Sequence, residues 1–106
     1  MTGRMARSKG ARGEREFASL LRDHGFESQR SARNGKTDED VEHNISGVHF
    51  EVKRVERLQI DKWVKQAERD AKDKIPIVVY RKNGDKWRAV IPAEELLKLL
   101  GGSSEA

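Results

Sequence analysis

The sequence contains no cysteine. Disulfides and thiolate metal sites are excluded, and the chain suits a reducing cytoplasm. Long apolar runs are missing too. The longest, Ile75 to Tyr80, is far too short to span a bilayer, so no membrane partner is expected. The charged N-terminal stretch has no apolar segment and does not read as a secretion signal. Aromatic residues are only 6% and hydrophobic residues 35% of the chain. That composition supplies one economical core, and any larger buried surface calls for a partner subunit. With 106 residues and no internal repeat, a single domain is expected.

Charge is what the sequence has in quantity. Charged residues make up 38%, with 22 basic against 18 acidic side chains and a net charge of +4. This balance favours a polyanionic partner. The basic residues are unevenly placed. Arg4, Arg7, Lys9 and Arg12 have no acid among them, and Gly3, Ser8 and Gly10 interrupt any regular pattern. Residues 1–9 read as a flexible basic arm matched to a phosphate backbone. Residues 10–101 then form the domain and 102–106 a loose tail.

Hydrophobic spacing divides the domain into elements. Phe17, Leu20, Leu21 and His24 recur at helical spacing from about Ala11, and Gly25 stops the helix. A short strand is expected within 26–31, then a polar loop at 33–36 and a weak strand at 40–42. Val48, Phe50 and Val52 alternate with His49, Glu51 and Lys53, which predicts a strand with two unlike faces. Ile60, Trp63, Val64, Ala67 and Ala71 make the apolar stripe of a helix over 59–73. Ile75 to Tyr80 predicts a buried strand, and Asn83-Gly84 a hairpin to a partner strand at 87–91. Pro92 opens a last helix whose face is Ala93, Leu96, Leu97 and Leu100. The order predicts an α/β or α+β fold with helices against a sheet.

Four residues stand out on this frame. Glu51 and Lys53 share one face of their strand. Asp40 lies on the preceding strand, and Glu14 falls on the inward side of the first helix. A hard divalent cation such as Mg²⁺ takes oxygen ligands. Asp40 and Glu51 would supply two, the Val52 backbone carbonyl a third, and Glu14 would hold the ion directly or through water. Such an ion polarises a phosphate oxygen and acidifies water. Lys53 would offset charge on the attacked phosphate or position the attacking water. The spacing alone also fits a solvated strand face.

The stretch Lys9-Gly10-Ala11-Arg12-Gly13-Glu14-Arg15-Glu16-Phe17, followed by Leu20-Leu21 and His24-Gly25-Phe26, resembles the start of archaeal-type Holliday junction resolvases. Gln29-Arg30-Ser31-Ala32 resembles their next strand and serine-bearing loop. Asp40-Val41 and Phe50-Glu51-Val52-Lys53 resemble the core motif of the PD-(D/E)xK nuclease superfamily. The resemblance runs from about Lys9 to Leu100. It implies a restriction-endonuclease-like mixed five-stranded β-sheet flanked by three α-helices. It further implies a homodimer that cuts four-way DNA junctions with Mg²⁺ or Mn²⁺ and no small-molecule cofactor. Glu14, Asp40, Glu51 and Lys53 match the catalytic set; Arg15 and Arg30 match residues tied to DNA contact or activity, and Ser31 lies in the loop near the site. The proline that usually precedes the metal-binding aspartate is Glu39 here. Asp38 therefore competes with Asp40, which is preferred because Val41 follows it. The loop resembles those of phage-borne members, which suggests a viral source acting in the host cytoplasm.

Other readings stay open at this point. The alternatives are a related nuclease for other DNA structures, a DNA-binding module that has lost cleavage, and an unrelated nucleic-acid-binding fold. His43 and His49 lack the clustered spacing of a zinc site, and His49 reads as a strand-face residue beside the active site. His24 is expected to pack near its helix end. Gln66 reads as a surface residue with the site as the alternative, Trp63 as core, and Trp87 as core or dimer surface.

Overall fold

The computed structural model describes residues 3–30 and 41–103, with side chains from position 10 onward. It contains α1 (Gly3–Asp23), β1 (Ser28–Arg30), β2 (Val41–His43), β3 (Val48–Arg54), α2 (Ile60–Ala71), β4 (Ile75–Arg81), β5 (Arg88–Val90) and α3 (Ala93–Leu99). No helix among the described residues is long and apolar enough to cross a membrane.

α1 starts at Gly3, not near Ala11, so the backbone of most of the expected arm is helical. Arg4, Met5, Ala6, Arg7 and Lys9 are all good helix formers, and together they outweigh the cost of Gly10 and Ser8. The helix ends at Gly25, which has φ 92°. Its N–H donates to Arg22 O at 3.0 Å, and the Phe26 N–H donates to Leu21 O at 3.0 Å. This paired closure satisfies two carbonyls that the helix end would otherwise leave open. His24 is exposed, and its Nδ1 lies 2.9 Å from Leu20 O. It caps the helix end by hydrogen bonding and not by packing.

The strands form two sheets among the described residues, not one of five strands. β1 pairs antiparallel with β2, with Gln29 opposite Glu42. β3 pairs parallel with β4, with Glu51 opposite Val78, and β4 pairs antiparallel with β5. β1 and β2 are only three residues long, so their ladder is short. They join the rest through α1: Val41, 1% exposed, shares a core with Phe17, Ala18, Leu21, Phe50, Val52 and Val79. The Phe17 and Phe50 rings meet edge-on at 5.0 Å. Trp87 packs on this core, its ring 5.3 Å from that of Phe17.

β3 and β4 are joined through α2, which lies on the opposite face from α1. There Trp63, Ala67 and Val78 form a second core, with Val64, Tyr80 and Val90 around it. The alternation along β3 thus separates two environments. Phe50 and Val52 face α1, and His49, Glu51 and Lys53 face α2. α3 buries none of its residues, contrary to the expectation of a core-facing helix. Leu97 and Leu99 on it, and Leu100 just past its end, are 58–75% exposed.

A polar cluster locks one end of β3. Arg54 is 8% exposed; it donates to Glu16 Oε1 at 3.0 Å and to Asn83 Oδ1 at 2.6 Å. Arg81 donates to the same Glu16 oxygen at 3.1 Å. α1, β3, β4 and the hairpin after it are held together by this one carboxylate and two guanidiniums. α1 approaches so closely here that a Cβ on Gly13 would lie 2.5 Å from Arg54 Cβ.

Candidate active site

Glu51 stands in the middle of β3 and is 3% exposed. A carboxylate this deep is costly unless cations or donors surround it. Lys53, two residues along on the same face, places Nζ 3.3 Å from Glu51 Oε2. The other oxygen, Oε1, lies 3.6 Å from His49 Nε2. Lys53 is steadied in turn by α2, donating to Gln66 Oε1 at 3.1 Å.

α2 adds an acid to this group. Asp70 follows Gln66 by one helical turn and so lies on the same side of α2. One ligand atom each from His49, Glu51 and Asp70 falls within 4.8 Å of the others. Neither helical contribution is obvious from residue type. Gln66 was expected at the surface and instead contacts the site. Asp70 was not expected there at all. The available signal was position: Gln66 and Asp70 flank the stripe of Trp63, Ala67 and Ala71 and so turn inward with it.

Glu14 is buried on α1, as its position on the inward side predicts. Its Oε1 accepts from Arg30 Nε at 2.9 Å. This pair ties β1 to α1, and Arg30 keeps partial solvent contact. Glu14 and Glu51 thus stand on different elements beside different cations. Asp40, the competing Asp38 and Ser31 lie outside the described residues; Val41, next to Asp40, opens β2 in the α1 core. Val52 turns its side chain to that same core. Arg12 and Arg15 are exposed on α1. Arg4, Arg7 and Lys9 belong to the same helix, with side chains outside the described residues. His43 packs on Phe50 at 4.9 Å and accepts from the Ile45 N–H at 3.1 Å, which gives it a structural place.

The donor set around Glu51 fits a divalent cation: two carboxylates and an imidazole converge from a strand and a helix. A divalent ion held there supplies Lewis acidity toward a phosphate and toward water. The chain's own residues do the rest. Glu51 would anchor such an ion and Lys53 would offer an ammonium to a phosphate beside it, with Gln66 accepting from that ammonium. Glu14 and Arg30 carry charge on the α1 side of the molecule.

The family model described as "Phage putative PDDEXK endonuclease" matches residues 5–105. No curated protein matches the chain. The match spans both Glu14 on α1 and the Glu51-x-Lys53 strand, and the chain belongs to this phage PDDEXK endonuclease family.

Proposed function

We propose that the protein is a Mg²⁺- or Mn²⁺-dependent, structure-selective DNA endonuclease that resolves four-way junctions as a homodimer. The observation that carries the reading is the buried Glu51 carboxylate with the Lys53 ammonium 3.3 Å away on the same strand face. The pair sits in a chain that belongs to a PDDEXK endonuclease family. A carboxylate that can hold a cation and an ammonium that can meet a phosphate are the two functions that phosphodiester hydrolysis requires.

Several features support DNA as the substrate. α1 carries Arg4, Arg7, Lys9, Arg12 and Arg15 along its length, and the whole chain is net positive. These cations suit phosphate backbones. Arg30, on β1, and Ser31 are proposed as further DNA contacts. Asp40, the Val52 carbonyl and Glu14, directly or through water, are proposed as further ion ligands. A junction presents two strands for cutting, and a two-fold dimer offers two sites in matching orientation. The exposed leucines of α3 provide apolar surface for such a dimer. The reaction is proposed to take place on DNA in the cytoplasm of the host cell.

Junction cleavage with Mg²⁺, run beside a Glu51→Ala protein, tests this reading. The wild-type chain should cut a synthetic four-way junction and the variant should not. Cleavage of linear duplex or flaps in preference to junctions would replace the substrate with another DNA structure. Binding without any metal-dependent cleavage would leave a DNA-binding module.

A further inference from the structure

Building on the metal-dependent reading of the Glu51 site, we propose that His49 and Asp70 are ion ligands beside Glu51. The site would then favour first-row divalent ions that accept imidazole, such as Mn²⁺ and Co²⁺, over Mg²⁺. The sequence motif does not include His49 or Asp70; these two donors reach Glu51 through the strand's alternation and the docking of α2.

Three features of the geometry agree. First, Glu51 divides its two oxygens. Oε2 faces Lys53 at 3.3 Å, and Oε1 faces His49 Nε2 at 3.6 Å. The second distance is too long for a hydrogen bond. Neighbouring ligands of one octahedral ion with bonds near 2.1 Å are about 3.0 Å apart, so these two atoms would have to close by about half an ångström to share one. Second, the ligand atoms of His49, Glu51 and Asp70 lie within 4.8 Å of one another. Ligands on opposite sides of one ion are at most about 4.4 Å apart, so the three side chains would have to draw together by at least a few tenths of an ångström to hold one ion. Third, His49 is 1% exposed and Glu51 3%. Both donors are thus held by packing in an interior where an ion's attraction to them would be screened little by solvent.

The donor chemistry then sets the preference. Carboxylates alone suit Mg²⁺, which demands oxygen ligands in octahedral array. An imidazole in the set favours ions further along the first transition row. The competing arrangement is an imidazolium held between Glu51 and Asp70, which needs no ion.

Pulsed electron paramagnetic resonance on Mn²⁺ bound to the wild-type protein separates the two. It should show nitrogen coupling from an imidazole, and His49→Gln should remove that coupling. Mn²⁺ or Co²⁺ should bind on the order of tenfold or more tightly than Mg²⁺ in calorimetric titration. Asp70→Asn, a change at a partly exposed position, should weaken Mn²⁺ binding by on the order of tenfold or more, the usual size for losing a group at a metal site. The nitrogen signal is read on the wild-type chain, so poor folding of a His49 variant leaves the test intact. Bound Mn²⁺ without nitrogen coupling, displaced by Glu51→Ala and indifferent to Asp70→Asn, overturns the ligand assignment and leaves the metal-dependent nuclease standing. A wild-type protein that binds no divalent ion overturns both.

Discussion

At position 53 an ammonium sits within reach of a buried carboxylate and is braced by a glutamine from the neighbouring helix. Its contribution should appear in the transition state, where charge grows on the phosphate, and hardly at all in ground-state binding. Lys53→Ala is therefore expected to lower the single-turnover cleavage rate about a hundredfold or more. Affinity for a junction, measured in Ca²⁺, should stay within about threefold, because a transition-state group adds little to ground-state binding. A lysine on a merely solvated strand face would leave the rate unchanged. Glu51 and Lys53 were legible because strand alternation fixes faces from sequence alone. Asp70 was not, since its relevance depends on where α2 docks. A charged residue on a helix flank looks the same whether it faces solvent or a site. The histidines divide similarly: His49 falls on the site face by alternation, whereas the edge-on contact of His43 with Phe50 is a tertiary contact that no spacing announces.

At the scale of elements, the order of helices and strands followed from periodicity, but the joins between elements did not. β1 and β2 read as members of one sheet because pairing cannot be read from three-residue strands. Their attachment through α1 rests on Val41 in a shared core. The early start of α1 escaped the reading for another reason. Glycine and serine in a basic stretch resemble a linker, while the helix propensity of its Arg, Lys, Met and Ala residues is a sum and not a pattern. Gly13 shows how close packing reverses a local preference. Gly→Ala inside a helix ordinarily stabilises by about 1 kcal/mol. At position 13 the added carbon would meet Arg54 Cβ at 2.5 Å, and the Arg54 side chain is held by Glu16 and Asn83. Gly13→Ala should instead destabilise by about 1–3 kcal/mol, the range for overpacking, as read from urea unfolding. A gain in stability would mean that α1 and β3 can move apart at no cost.

For the molecule as a whole, the economical composition anticipated surface left over for a partner. That surplus is concentrated on α3, where Leu97, Leu99 and Leu100 are exposed and no residue is buried. Sequence periodicity places Leu97 and Leu100 on a helix face, and among the described residues nothing buries that face. If α3 is the contact between two copies, Leu97→Glu combined with Leu100→Glu should convert a dimer to a monomer in sedimentation. Each leucine buried at an interface contributes about 1.5–3 kcal/mol, enough for two changes to dissociate a small interface. A dimer that survives both changes must use another face.

Under the proposed function, this member of a phage PDDEXK endonuclease family would cut branched DNA by ion chemistry at Glu51. The most direct measurement is single-turnover cleavage of a four-way junction and of a linear duplex of the same sequence, each with Mg²⁺, with Mn²⁺ and with a chelator. The account predicts ion-dependent cuts in the junction, little cutting of the duplex, and loss of both in Glu51→Ala. Equal cutting of duplex and junction would contradict the proposed substrate, and junction cleavage that persists in Glu51→Ala would contradict the site itself.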